Sequence, residues 1–341
     1  MKRVLITSVL DEKLVKKNFF YLGHWALKLN KKNILNNLKG IKIHKYHWSN
    51  KAKLEKDFNF LKTKNEEIIK RISPILNEIH NKNYNSFFWF VVLYPWLSQY
   101  SSIMFDRWET VRTFLSKNKK KYIVYDIFPE NYFATSKNHF SFFKKAAFNN
   151  AWNHELINRV FKNFKSKNII FKKKISKIDD NENIIRSGFE RQSFFFRPLL
   201  IVDKILSPIA FKYNYIIFES FYYPLKEYIL MCLKNLLLPA KYLSFFNYEP
   251  NNEKTDLEKR NILKSHFIKI KEKNSFMKFL FENLHIDLPL NYLENFELLS
   301  QRSEKISNNK KIIFSMHSWN YNDFFKIFLA QSILKNKTKL F

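Results

Sequence analysis

The sequence predicts an α/β fold built on a largely parallel sheet. Short apolar runs of strand character recur along the whole chain. Longer segments with apolar residues every three or four positions separate them. Apolar residues make up 46% of the 341 positions, enough for a large buried core.

Residues 3–7 read as a first buried strand, 18–22 as a second and 41–46 as a third. A long helix follows, because Leu54, Phe58, Leu61, Ile68, Ile72, Leu76 and Ile79 keep helical spacing against a Lys- and Glu-rich face. Pro74 is expected to kink or divide it. Residues 87–115 form a more apolar helical region, with an interruption expected at Pro95 and Asp106, Arg107 and Glu109 in its last turns. The run 122–125 reads as a strand and 152–165 as an amphipathic helix burying Leu156, Ile157, Val160, Phe161 and Phe164. Residues 169–171 and 215–218 read as short strands, 223–238 as a helix and 242–246 as a strand. A polar stretch at 249–261 is a loop or a helix start, and 255–305 is mostly helical with a break at Pro289. The run 311–315 reads as a strand, 322–335 as a helix, and 339–341 opens a further strand. The aromatic stretches 87–90, 194–196 and 218–223 read as core. The alternation gives a Rossmann-like parallel sheet with helices on both faces, whose ligands sit at the carboxyl ends of the strands.

The formal charge is +30, from 60 Lys and Arg against 30 Asp and Glu. Such a balance suits an anionic partner: nucleic acid, anionic lipid or a nucleotide phosphate. However, Lys, Asn, Ile and Phe are all abundant while Gly, Ala and Pro are scarce, which is the codon signature of an AT-rich gene. The lysines are scattered and no basic arm stands apart, so nucleic acid ranks last among the partners.

Cys232 is the sole cysteine, which excludes a disulfide within the chain and suits a reducing cytoplasm. The N-terminal apolar run is too short for a signal peptide. The longest apolar run, Phe87 to Leu97, falls well short of the roughly 20 residues of a membrane span. A cytoplasmic location is therefore expected. Gly23, Gly40 and Gly188 are the three glycines, and neither a G-x-G-x-x-G nor a P-loop can be written from them. No zinc spacing and no Asp-x-Asp occur, so no metal and no cofactor are expected. Phosphate binding would fall to helix N-termini and basic side chains.

Chemistry concentrates in five clusters: Gly23-His24-Trp25, Tyr46-His47-Trp48, Asp106-Arg107-Trp108-Glu109, Trp152-Asn153-His154-Glu155 and His317-Ser318-Trp319. Together they hold five of the seven Trp and four of the nine His. Each combines a flat apolar platform with proton-transfer or charged groups, as a polar ligand such as a sugar needs. Gly23 marks a positive φ or a close approach. His24 and His47 follow strands and are candidate bases near neutral pH. Asp106 and Glu109, three apart on a helix, are candidate bases or hydroxyl ligands. Arg107 is a candidate anion fork, and Trp25, Trp48 and Trp108 are candidate stacking or framing groups. Asn153 reads as an N-cap, with His154 and Glu155 as substrate contacts. The plainer reading makes these packed Trp, satisfied His and ion-paired helix surface.

The clusters also carry a resemblance. Tyr21-Leu22-Gly23-His24-Trp25, Tyr46-His47-Trp48, Pro95-Trp96-Leu97 and Asp106-Arg107-Trp108-Glu109 appear in the order seen in a family of bacterial transferases encoded beside O-antigen and other surface-polysaccharide genes. Leu76-Asn77-Glu78-Ile79-His80, Leu288-Pro289 and Asp323-Phe324-Phe325-Lys326 also resemble it. His24 stands where the family has Glu, and the family's chains run longer, with a Gln-His-Gly-Gly-type segment beyond residue 341. The resemblance implies a two-lobed, glycosyltransferase-B-like fold whose second lobe is incomplete here. Residues 1–288 would form the acceptor-side α/β domain, and 289–341 a linker helix and the start of a second α/β domain. It implies transfer of a sugar from a nucleotide-activated donor to a glycan acceptor. Ser315, Asn322 and Lys326 would meet the donor phosphates. A non-catalytic half that pairs with a separate donor lobe is the second expectation, and a nucleic-acid-binding protein the third. The 223–238 helix, with Lys226 and Lys234, is a candidate for peripheral contact with an anionic inner membrane.

Overall fold

The computed structural model describes residues 3–8, 19–26, 42–127, 135–173, 188–219, 224–242, 245–306, 312–315 and 317–341, with the side chains of 188–200 left aside. In chain order come β1 (Arg3–Ile6), β2 (Phe19–Tyr21), α1 (Lys51–His80), α2 (Ser86–Lys117), β3 (Tyr122–Asp126), α3 (His139–Phe148), α4 (Asn150–Phe164) and β4 (Ile169–Lys173). Then come α5 (Gly188–Tyr213), β5 (Ile216–Glu219), α6 (Leu225–Lys234), α7 (Leu257–Ile268), α8 (Ser275–Asp287) and α9 (Phe296–Ile306). The chain closes with β6 (Ile312–Ser315), α10 (Ser318–Tyr321), α11 (Asp323–Asn336) and β7 (Lys339–Leu340).

The strands form two parallel sheets, ordered β2-β1-β3-β4 and β5-β6-β7. The class expected from the sequence is therefore the one observed. In the first sheet Val4 lies opposite both Phe19 and Ile123. The segment expected as a third strand makes a single parallel bridge, Ile43 to Tyr21, outside β2. Counting that bridge, the order is Ile43, β2, β1, β3, β4. The chain builds outward from β1 in one direction and returns to build in the other. The reversal falls between β1 and β3, the place where doubly wound sheets bind ligands.

The abundance of Asn has a structural use. Asn50, Asn85, Asn138, Asn149, Asn274 and Asn322 each cap a helix by accepting a backbone N–H of its first turn. A cap of this kind contributes about 1 kcal/mol. Neither proline ends its helix: α1 runs through Pro74 and α2 through Pro95. The cost of a missing hydrogen bond is met by packing. α2 buries Phe88, Trp89, Val92, Trp96, Tyr100 and Phe114 along its length.

Two expectations change. Residues 242–246 form no strand in their described part: Tyr242 takes φ 56° and residues 245 and 246 form a turn. Residues 243–244, 220–223 and Lys311 lie outside the described residues, as do Gly40 and the side chains of 194–196. The boundary at residue 288 also does not divide the sheets. β5 belongs to the earlier segment yet pairs with β6 through Ile216–Ile312 and Phe218–Phe314. One apolar cluster contains Leu5 and Val124 of the first sheet and Ile217 and Ile313 of the second.

Candidate functional site at the strand ends of the first sheet

Because the strands run parallel, their carboxyl ends lie on one edge. β1 delivers Thr7 and Ser8, β2 delivers Gly23-His24-Trp25, and the Ile43 bridge delivers Tyr46-His47-Trp48. His24–Ala26 and His47–Ser49 each fold into a 3₁₀ turn. The two clusters are neighbours: the Trp25 and Tyr46 rings meet edge to face at 6.4 Å. Trp25 Nε1 donates to the Thr7 carbonyl at 3.3 Å. Its six-membered ring lies on Gly23, where an added Cβ would sit 2.2 Å from a ring carbon. Of the two roles expected for Gly23, close approach is the one observed.

Asp106 of α2 is the hub. Its buried carboxylate accepts from His47 Nε2 at 3.1 Å, from the Arg107 guanidinium and from the Tyr46 hydroxyl. Burial pushes this carboxyl up, but the donors of His47, Arg107 and Tyr46 outweigh it and hold it below the usual carboxylate range. Burial and the neighbouring Asp106 raise the Tyr46 phenol well above its ordinary value. Asp106, expected as a base or hydroxyl ligand, is thus held by three donors and orients them in turn. His47 is buried, and its Nδ1 has no hydrogen-bond partner among the described residues. Arg107 spans the rim. It donates to Asn153 Oδ1 through Nε at 3.3 Å and Nη2 at 2.9 Å, and its guanidinium lies 5.7 Å from the Trp25 ring centre.

Glu109 belongs to a second network. It takes Lys53 at 2.9 Å and a two-pronged contact from Arg112. Burial raises its carboxyl, and Arg112 and Lys53 more than reverse that. Lys53 also binds Asp57, which accepts from Trp48 Nε1 at 3.0 Å. Asp106 and Glu109 share a helix but no partner, and neither is a free base.

Other expectations are also revised. Trp108 packs against Phe105, Phe164 and Phe276 in the core, so it offers no platform to a ligand. Trp48 stacks on Phe105. Asn149, rather than Asn153, caps α4, and Asn153 instead holds Arg107. His154 is fully buried and pairs with Thr7 Oγ1 at 2.9 Å and Asn158 at 3.2 Å. Asn158 reaches the Tyr125 carbonyl of β3, so this chain of contacts fills the reversal point between β1 and β3. Glu155 is buried beside Arg159.

The three groups expected at donor phosphates are engaged internally. Ser315 donates to Glu219 at 2.9 Å. Asn322 caps α11 and donates to the Phe246 carbonyl. Lys326 is sealed in the interior against Asp323, Tyr292 and His139. That leaves His24 exposed at the strand-end edge, next in the chain to Trp25, which is half-buried along with its neighbours Tyr46 and Arg107.

Comparison with known proteins decides the family. A family model described as LIC12162 family transferase matches residues 3–340. The chain belongs to that family. No curated protein and no solved structure matches it. Within this transferase the same edge also holds Thr7, Tyr46, Asn153 and Lys53, which sequence reasoning does not offer as site residues. A polar residue directly after an apolar strand, as Thr7 is, was the available signal. Asn153 and Lys53 became visible only once distant helices were brought together. Among the described residues no group of three His, Cys, Asp or Glu could hold a metal ion.

Proposed function

We propose that this transferase moves a sugar from a nucleotide-activated donor to a glycan acceptor of the cell surface. His24 takes the acceptor proton and Arg107 meets the departing phosphate. The carrying observation is an exposed His24 next in the chain to a partly open Trp25, whose ring lies by the Arg107 guanidinium, at one edge of parallel strands. In the reaction the acceptor hydroxyl gives its proton to the imidazole and its oxygen bonds to the anomeric carbon. The bond from that carbon to the phosphate oxygen breaks, and a nucleoside diphosphate leaves. The Asp106–His47–Tyr46 group fixes Arg107 and the Trp25 rim from beneath.

The test is release of nucleoside diphosphate from a panel of nucleotide sugars with oligosaccharide acceptors. His24→Ala is expected to lower turnover by roughly 100-fold or more, the range of a general base. Because His24 is exposed, the melting temperature should stay unchanged. Arg107→Gln should lose a similar factor. Full turnover in both variants sinks the site. A second reading, in which another polypeptide grips the donor, is favoured by the internal engagement of Asn322 and Lys326. It is recognised by activity that appears only when that partner is added.

A further inference from the structure

We propose that the outer face of α5, with the turn at Leu236–Leu238, seats this protein on the surface of an anionic lipid bilayer. This goes beyond the proposed sugar transfer and does not depend on it.

Ile201, Ile205, Ile209 and Tyr213 recur every four residues on α5 and are all exposed, Ile205 by 62% and Tyr213 by 69%. At 1.5 Å per residue they form a stripe about 18 Å long. The opposite side of the same helix is accounted for, because Asp203, Ser207, Ala210 and Phe211 are buried. The stripe continues past the helix end. Asn214 exchanges two hydrogen bonds of 2.8 Å with the backbone of Leu238, so residues 236–238 lie beside the end of α5. Leu236 is 94% exposed and holds φ at 53°. A leucine in the left-handed region costs free energy, and this backbone sets the side chain out into solvent. An extended apolar face of this kind marks a docking surface.

Charge selects the occupant. Lys204, Lys212 and Lys234 are exposed around the stripe, while the acids Asp203 and Glu219 are buried, which leaves Glu227 as the exposed acid of the described part of 201–242. A second copy of the chain would oppose lysines to lysines across a two-fold axis. A bilayer with anionic headgroups accepts the lysines and takes the apolar stripe at the headgroup–acyl boundary. The docking is peripheral, since no helix among the described residues is long and apolar enough to cross a membrane.

The test is co-sedimentation of the full chain with phosphatidylglycerol-containing vesicles and with phosphatidylcholine vesicles. Binding is expected to the first and to be weak to the second. Ile201→Ser/Ile205→Ser/Ile209→Ser leaves the charge unchanged and is expected to weaken binding roughly tenfold or more. Leu236→Gly suits φ 53° better than leucine, so it should fold at least as well while binding several-fold less. If both variants bind anionic vesicles like the parent, the attraction is charge alone and the proposal fails. It fails equally if light scattering shows a dimer that these substitutions dissociate while vesicle binding is absent.

Discussion

At Gly23 a methyl group has nowhere to go. Gly23→Ala would push the Trp25 ring off its seat and stretch its bond to the Thr7 carbonyl. A loss of about 1–3 kcal/mol is expected, together with a change in tryptophan emission on a denaturant titration. Unaltered emission and stability would show that the ring has room. Histidines set a second residue-scale property. Burial lowers His80 to about 4, and burial with the Lys326 charge lowers His139 to about 2, against 6.5 when unfolded. Their stability contribution is complete above pH 6.5 and is lost as pH falls toward the folded values, because the unfolded chain takes protons that the folded chain refuses. By pH 5 each costs up to about 2 kcal/mol. The melting temperature is therefore expected to drop between pH 7 and pH 5, and His80→Asn should flatten that slope. The presence of histidines was plain in the sequence, whereas their burial was not: the His80, Trp89 and Phe296 rings pack against one another as a three-membered cluster that only folding assembles.

Three helices meet at Asp287, the last residue of α8. Arg159 of α4 donates to it at 3.1 Å, and Tyr100 of α2 donates at 2.8 Å. All three are buried, and Arg159 also holds Asn283. Arg159→Met strands a buried carboxyl with one donor. About 3–5 kcal/mol of destabilisation is expected by urea unfolding. Arg159→Met/Asp287→Leu should recover much of it, and a double variant as unstable as the single one would contradict the account. Elements with strong periodicity were legible in the sequence: α1 and α4 lie within a few residues of their expected bounds, and so does α11, although its buried residues run unbroken from Asp323 to Ser332 and show no amphipathic face. The failures have particular causes. Residues 242–246 look like a strand because they are apolar and aromatic. In the structure Asp203 takes the N–H groups of Lys241 and Tyr242 as its own partners, while Phe245 and Phe246 pack on Phe211. Helix α3 carries a weak start signal in the sequence, because its capping box uses Ser141 in place of the usual Glu or Gln.

Over the whole molecule, the two sheets share one apolar core, and α11 lies against both α2 and α9. The strand-end edge gathers groups from segments more than 100 residues apart, Thr7 with His154 being one such pair. That gathering was foreseeable from parallel topology. What was not foreseeable is that so many of its charges neutralise one another, since ion pairs such as Lys53–Glu109 join distant segments. The second half shows the same effect at its most complete in Lys326, with no exposed surface and three polar partners. Burial lowers this ammonium against the pull of Asp323, yet no reagent dissolved in water can touch it while the chain is folded. Acylation of surface amines by a brief pulse of an N-hydroxysuccinimide ester should therefore mark the outer lysines at once and skip this one. Its acylated peptide, followed by mass spectrometry, becomes a clock for how often the interior opens.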